Sequence, residues 1–227
     1  MKNQWNPNSL LYQIITRFVL DKNPNQSDTQ NLSDFIKILE SNTLNLIMHS
    51  DPFLKTYLLS KLTLTTNLPV IYLDFDLLFS GYFTSNTIKQ NPGTTLYQPN
   101  RNDFQKIIKS ILLEISQKKS MVIIDSLNGL FTLFHDNKDA GRLVNSYIML
   151  FCSFAKNSNS CILISGMSRR KNNEEWVLSI TGRHIFETKQ MNSIWIERQN
   201  SCIITKLFDE KAIPKKTYNI SIQSELI

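Results

Sequence analysis

Lys55 and Thr56 stand at the start of a helical stretch, behind a short apolar run over 44–48 and a turn at Ser50-Asp51-Pro52. A lysine next to a hydroxyl residue on a helix's first turns can hold phosphate. The ammonium neutralises its charge, the hydroxyl ligates Mg²⁺, and the free N–H groups of the helix start donate to its oxygens. Carboxylates at two strand ends stand where they would complete such a site. Asp125 ends the apolar run 121–124, where a carboxylate can hold the metal. Asp74 and Asp76 end the run 70–73, where an acidic group can orient an attacking water. Lys55 and Thr56 are thus the candidate nucleotide-binding residues, and Asp76 and Asp125 the candidate catalytic ones.

The turn itself opposes that chemistry. A phosphate loop of the form GxxxxGK[ST] uses glycines so that backbone can wrap the anion. Here the segment reads His49-Ser50-Asp51-Pro52-Phe53-Leu54-Lys55-Thr56, with His49 and Leu54 in both glycine positions. Leu54 places a bulky side chain where backbone must approach phosphate. Pro52 removes an N–H donor, and Asp51 adds negative charge beside the expected anion. The four candidates therefore read as vestigial. A plainer reading stands beside that one: Lys-Thr pairs open helices by chance, and strand-end aspartates cap the following turn. No cofactor and no metal are expected, and ATP with Mg²⁺ enters only if the loop is divergent but active.

Such residues meet only if a parallel sheet brings strand ends together. Four near-continuous apolar runs (44–48, 70–73, 121–124 and 161–164) alternate with helical sequence at 53–64, 104–115 and 143–155. That alternation predicts an α/β fold, a mainly parallel sheet flanked by helices. An amphipathic helix is expected from Leu10, Leu11, Ile14, Ile15, Phe18 and Val19, then a polar loop over 21–29, then a helix capped by Ser33. A long loop is expected between the second and third runs, around Gly81, Pro92, Gly93 and Pro99. After Glu174 come strands without helices (176–180, 185–188, 193–197, 202–208 and 218–222), an antiparallel extension of the same sheet. The expected organisation is one domain over 1–227, with a helical lead-in over 1–42 and a C-terminal β-meander over 176–227.

Composition bounds the function. The chain has 227 residues and a formal net charge of +6; hydrophobic residues make up 41% and charged residues 19%. This excludes a charge-rich disordered chain and a coiled coil. Six glycines are few for this length and weigh against a full set of glycine-rich loops. Cys152, Cys161 and Cys202 form no CxxC and sit in apolar runs, as buried thiols of a reducing compartment do. No apolar stretch approaches a membrane span, and 1–20 is broken by polar residues, unlike a signal peptide. The expected location is cytoplasmic: nucleoid-associated in a prokaryote, nuclear in a eukaryote.

The segment Met121-Val122-Ile123-Ile124-Asp125-Ser126-Leu127-Asn128-Gly129-Leu130-Phe131 resembles the Walker-B region of RecA/RadA-type recombinases. Gly182-Arg183-His184-Ile185, Ser193-Ile194-Trp195-Ile196-Glu197-Arg198, Ile203 to Asp209, Pro214 and Tyr218-Asn219-Ile220 are similar to the family's C-terminal β-meander. The likeness spans roughly 40–225 and implies a RecA-like ATPase core. Against that pattern the small N-terminal DNA-binding domain is missing. The catalytic glutamate falls at Asp76, and the glutamine that senses γ-phosphate falls at Met167. The Pro214 loop, which in filaments covers a neighbour's ATP, carries Lys215 where an acidic residue is usual.

The family's two DNA-contacting loops correspond to 135–143, with Arg142, and 167–175, with Arg169, Arg170 and Lys171. Such cations suit phosphate contacts on single-stranded DNA, or simply a solvated loop. The resemblance implies an ATPase-deficient paralog acting as an accessory subunit in recombinational DNA repair, in a hetero-oligomer with a recombinase or another paralog. Two alternatives stay open: a divergent but active ATPase, and a scaffold subunit of a RecA-like ring resembling those of the Elongator complex.

Overall fold

The computed structural model describes residues 26–89, 91–171, 175–178, 191–208 and 214–222. In chain order the elements are α1 (Gln26–Ser41), β1 (Leu44–His49), α2 (Pro52–Thr65), β2 (Val70–Asp74), α3 (Leu78–Thr84), β3 (Thr94–Tyr97), α4 (Phe104–Gln117), β4 (Met121–Asp125), α5 (Leu127–Leu133) and α6 (Ala140–Ser158). Five strands follow: β5 (Cys161–Lys171), β6 (Glu175–Leu178), β7 (Met191–Gln199), β8 (Cys202–Phe208) and β9 (Pro214–Ser221).

The strands lie side by side in the order β3-β2-β4-β5-β1-β7-β8-β9, and β6 hairpins onto the far half of β5. From β3 to β7 every neighbouring pair is parallel; β7–β8 and β8–β9 are antiparallel. The C-terminal extension is therefore present: β6 is antiparallel to β5, and β8 and β9 are antiparallel to their neighbours, but β7 runs parallel to β1.

Alternation along each apolar run divides its side chains between two cores, because successive residues of a strand face opposite sides. Ile47, Tyr72, Ile123 and Leu163 pack with α1, α2 and α3. Leu46, Ile71, Leu73, Ile124 and Ile162 pack with α4, α5 and α6. Both faces are covered, which explains why these runs are nearly continuous in apolar residues rather than alternating with polar ones. α4 turns a stripe of Phe104, Ile108, Ile111 and Ile115 inward, whereas α2 is buried on nearly every side.

Several boundaries differ from expectation. α1 begins at Gln26, inside the segment expected to be a loop, and Ser33 lies within that helix instead of capping it. Leu32, Phe35, Ile36 and Leu39 are buried there, so tertiary packing extends the helix through a polar start. The expected long loop holds both α3 and the short edge strand β3. Pro214 and Lys215 open strand β9. The expected helix around 10–19, the strand 185–188 and the Gly182-Arg183 pair lie outside the described residues. Among the described residues, no helix is long and apolar enough to cross a membrane.

Candidate functional site

The carboxyl ends of β1, β2, β4 and β5 converge where ligands bind in sheets of this kind. At the β1–α2 turn, Asp51 is the N-cap of α2 and Pro52 occupies its first turn. The Asp51 carboxylate accepts from the backbone N–H of Phe53 at 2.9 Å and of Leu54 at 3.2 Å, while its carbonyl accepts from the N–H of Lys55. The donors that an anion would use are thus occupied by the chain's own carboxylate. The Thr56 hydroxyl donates back to the carbonyl of Pro52 at 2.9 Å.

Lys55 turns inward. It is 1% exposed, and its ammonium lies 2.5 Å from Asp125 Oδ1 and 3.9 Å from Asp76 Oδ2. Asp125 is fully buried and accepts two further hydrogen bonds, from Tyr72 OH at 2.6 Å to Oδ2 and from Ser165 Oγ at 2.5 Å to Oδ1. Of the four residues singled out by sequence, the structure brings together Lys55, Asp76 and Asp125; Thr56, on the same helix, is engaged elsewhere. Tyr72 and Ser165 complete the cluster unforeseen. The available signal was a tyrosine in an otherwise aliphatic buried strand, since a buried phenol needs a hydrogen-bond partner.

Asp74, expected beside Asp76 as a water-orienting group, has a structural role. At Leu77 the backbone is left-handed (φ 58°), and the chain turns there from β2 into α3. The Asp74 carboxylate accepts from both the N–H and the hydroxyl of Ser80, each at 2.7 Å. Burial pushes its acidity to a higher pH than an ordinary carboxylate shows, although the Ser80 bonds oppose this. His49, at the end of β1, is buried, and neither ring nitrogen makes a hydrogen bond of good geometry. Burial, reinforced by the Lys55 charge, lowers its pKa to about 4, so it is neutral near pH 7.

Gly129 sets the spacing between α5 and the end of β2. A Cβ at this position would lie 2.5 Å from Asp76 Oδ1, 2.6 Å from Phe75 Cβ and 3.1 Å from the Phe75 carbonyl carbon. Asp76 could swing away, but the Phe75 backbone cannot. Alanine gains about 1 kcal/mol of helix propensity and loses more to overpacking, typically 1–3 kcal/mol. Gly129→Ala is expected to destabilise by roughly 1 kcal/mol net, read by urea unfolding; a variant as stable as wild type would show that α5 slides freely on β2.

The residues expected to meet DNA lie on regular elements. Arg142 is in the first turn of α6, exposed, and pairs with Asp139 at 3.4 Å. The backbone of Arg169, Arg170 and Lys171 belongs to β5, paired with Val177, Trp176 and Glu175 of β6, so this part of the expected loop is a β-hairpin. Asn172 and Asn173 lie outside the described residues. At the position expected to sense γ-phosphate, Met167 is exposed, and its N–H donates to Asn128 Oδ1 at 3.0 Å.

No family model matches the sequence. No curated protein matches it either. Among solved structures, the chain is similar to the crystal structure of the RadB recombinase, at 14% identity and a TM-score of 0.57 over 82% of this chain and 90% of that one. Parallel core, helices on both faces and antiparallel C-terminal strands agree with that likeness, and the fold of the chain is RecA-like.

Proposed function

We propose that this protein is an accessory subunit of recombinational DNA repair that has kept the RecA-like fold and given up ATP hydrolysis. It assembles with a recombinase or another paralog of the same fold and helps to hold it on single-stranded DNA. The observation that carries the reading is the inward turn of Lys55 onto Asp125. In an active phosphate site the lysine reaches the nucleotide and the strand-end carboxylate holds Mg²⁺. Here each group is consumed by the other. The Thr56 hydroxyl and the first N–H groups of α2 are also engaged within the chain. These residues do not fit a magnesium nucleotide, and no step of the proposed function passes through one. The role in recombination draws on the likeness to the RadB recombinase and on the sequence resemblance.

The test is thermal unfolding with and without millimolar Mg-ATP. A ligand at a hundredfold excess over its Kd would stabilise by about 2.7 kcal/mol, some 5–10 °C for a chain of this size. No shift is expected. A shift of several degrees that Lys55→Ala abolishes would overturn the reading in favour of a divergent ATPase.

A further inference from the structure

Asp125 gathers three donors from three different elements: Lys55 from α2, Tyr72 from β2 and Ser165 from β5. Four pieces of the sheet's carboxyl end are thus tied through one buried carboxylate. Oxygen donors grouped like this (two carboxylates, Asp125 and Asp76, with the Ser165 hydroxyl) are of the hard type that divalent cations take. The Lys55 ammonium stands among them, close to Asp125 and within ion-pair reach of Asp76. The complementary charge is supplied in the same way. The Asp51 carboxylate covers the N–H groups at the head of α2, where an anion would sit.

We infer that Lys55 is a built-in counter-ion that stands in for a bound cation and, with Asp51 as the built-in anion, holds this end of the sheet in one ligand-independent state. The inference rests on the nucleotide-free reading above and adds what replaced the nucleotide. A bound ligand leaves and returns, and its two occupancies can drive two conformations. A tethered ammonium cannot leave, so this subunit offers its partner a constant surface rather than a switch.

The test uses Mn²⁺ alone, without nucleotide, on the full chain and reads thermal unfolding. Wild type is expected to be indifferent to millimolar Mn²⁺, because the cation's place is filled. Lys55→Ala is expected to melt lower and to be raised by several degrees with Mn²⁺. Lys55→Ala with Asp125→Asn is expected to lose that response. If Lys55→Ala does not fold without metal, refolding in Mn²⁺ becomes the readout: recovery supports the inference and failure overturns it. A Mn²⁺ response in wild type, or equal responses in the single and double variants, also overturns it. Failure here is distinguishable from failure of the proposed function, which shows as a Mg-ATP shift in wild type.

Discussion

Asp125→Ala is expected to cost about 3–5 kcal/mol, the largest effect of any single change at this site. The reason lies in what stays behind. The Lys55 side chain is wholly buried, and with Asp125 gone its nearest carboxylate is Asp76, 3.9 Å away and partly solvated. An ammonium without its partner in a low-dielectric interior forfeits its hydration for little return. Tyr72 OH and Ser165 Oγ lose their acceptor at the same time. At roughly 2–4 °C per kcal/mol for a chain of this size, the melting point should fall by about 6–20 °C. The pair is not thereby a large source of stability, because forming it also cost the desolvation of both charges. Lys55→Met together with Asp125→Leu should therefore be far milder than Asp125→Ala alone. Chemical unfolding of the three proteins decides it. A loss below about 1 kcal/mol for Asp125→Ala would mean that Lys55 swings out to water, and the buried pair would not be the structural centre described here.

How much of this was legible in the sequence depended on the scale of the signal. The four core strands were plain because a strand covered on both faces is apolar along nearly its whole length, and 44–48, 70–73, 121–124 and 161–164 are, broken only at Asn45, which is buried and donates to the carbonyls of Leu39 and Ile162. β3 and α3 were missed because each is short and set among glycines, prolines and polar residues, where local composition speaks for a loop. They form because Thr94 to Tyr97 pairs with β2 and because Phe79 is buried against Tyr72, their rings 4.1 Å apart. The parallel course of β7 was hidden as well, since direction follows from the path of the preceding connection and not from the strand's own residues.

At the site, residue types alone indicated that the phosphate loop was compromised at His49, Asp51, Pro52 and Leu54. They could not indicate where Lys55 points. A lysine reaches outward or inward with equal ease, and only the closeness of Asp125 across two strands, with Tyr72 and Ser165 to share it, fixes the inward choice. The cationic run 169–171 hid its backbone form for a related reason. Charges suggest a loop, but the backbone there has hydrogen-bond partners in β6 and stays extended.

Acidification should reveal the same buried environment through His49. In the folded chain its pKa is lowered from 6.5 to about 4, chiefly because burial penalises the imidazolium and secondly because the Lys55 charge repels it. The unfolded chain leaves the ring in water, where it takes a proton near pH 6.5. Between these values the unfolded state binds more protons than the folded state, so stability falls as pH drops from about 6.5 to about 4 and then levels. At about 1.4 kcal/mol per pH unit, the full loss attributable to His49 is a little over 3 kcal/mol. Asp74 acts in the opposite sense. Its raised pKa, chiefly from burial, means that the folded state takes the proton more readily, so protonating it favours folding. The two are separated by comparing wild type with His49→Leu, which keeps Asp74 and replaces the ring with an apolar side chain of similar size. Urea unfolding of both proteins at several pH values from 7 down to 4.5 is the measurement. The difference in stability between them should shift steadily in favour of His49→Leu as the pH falls. If the two profiles run parallel, the ring takes up a proton inside the folded protein as easily as outside it. The head of α2 would then be open to water, and the closed arrangement around Lys55 would not stand.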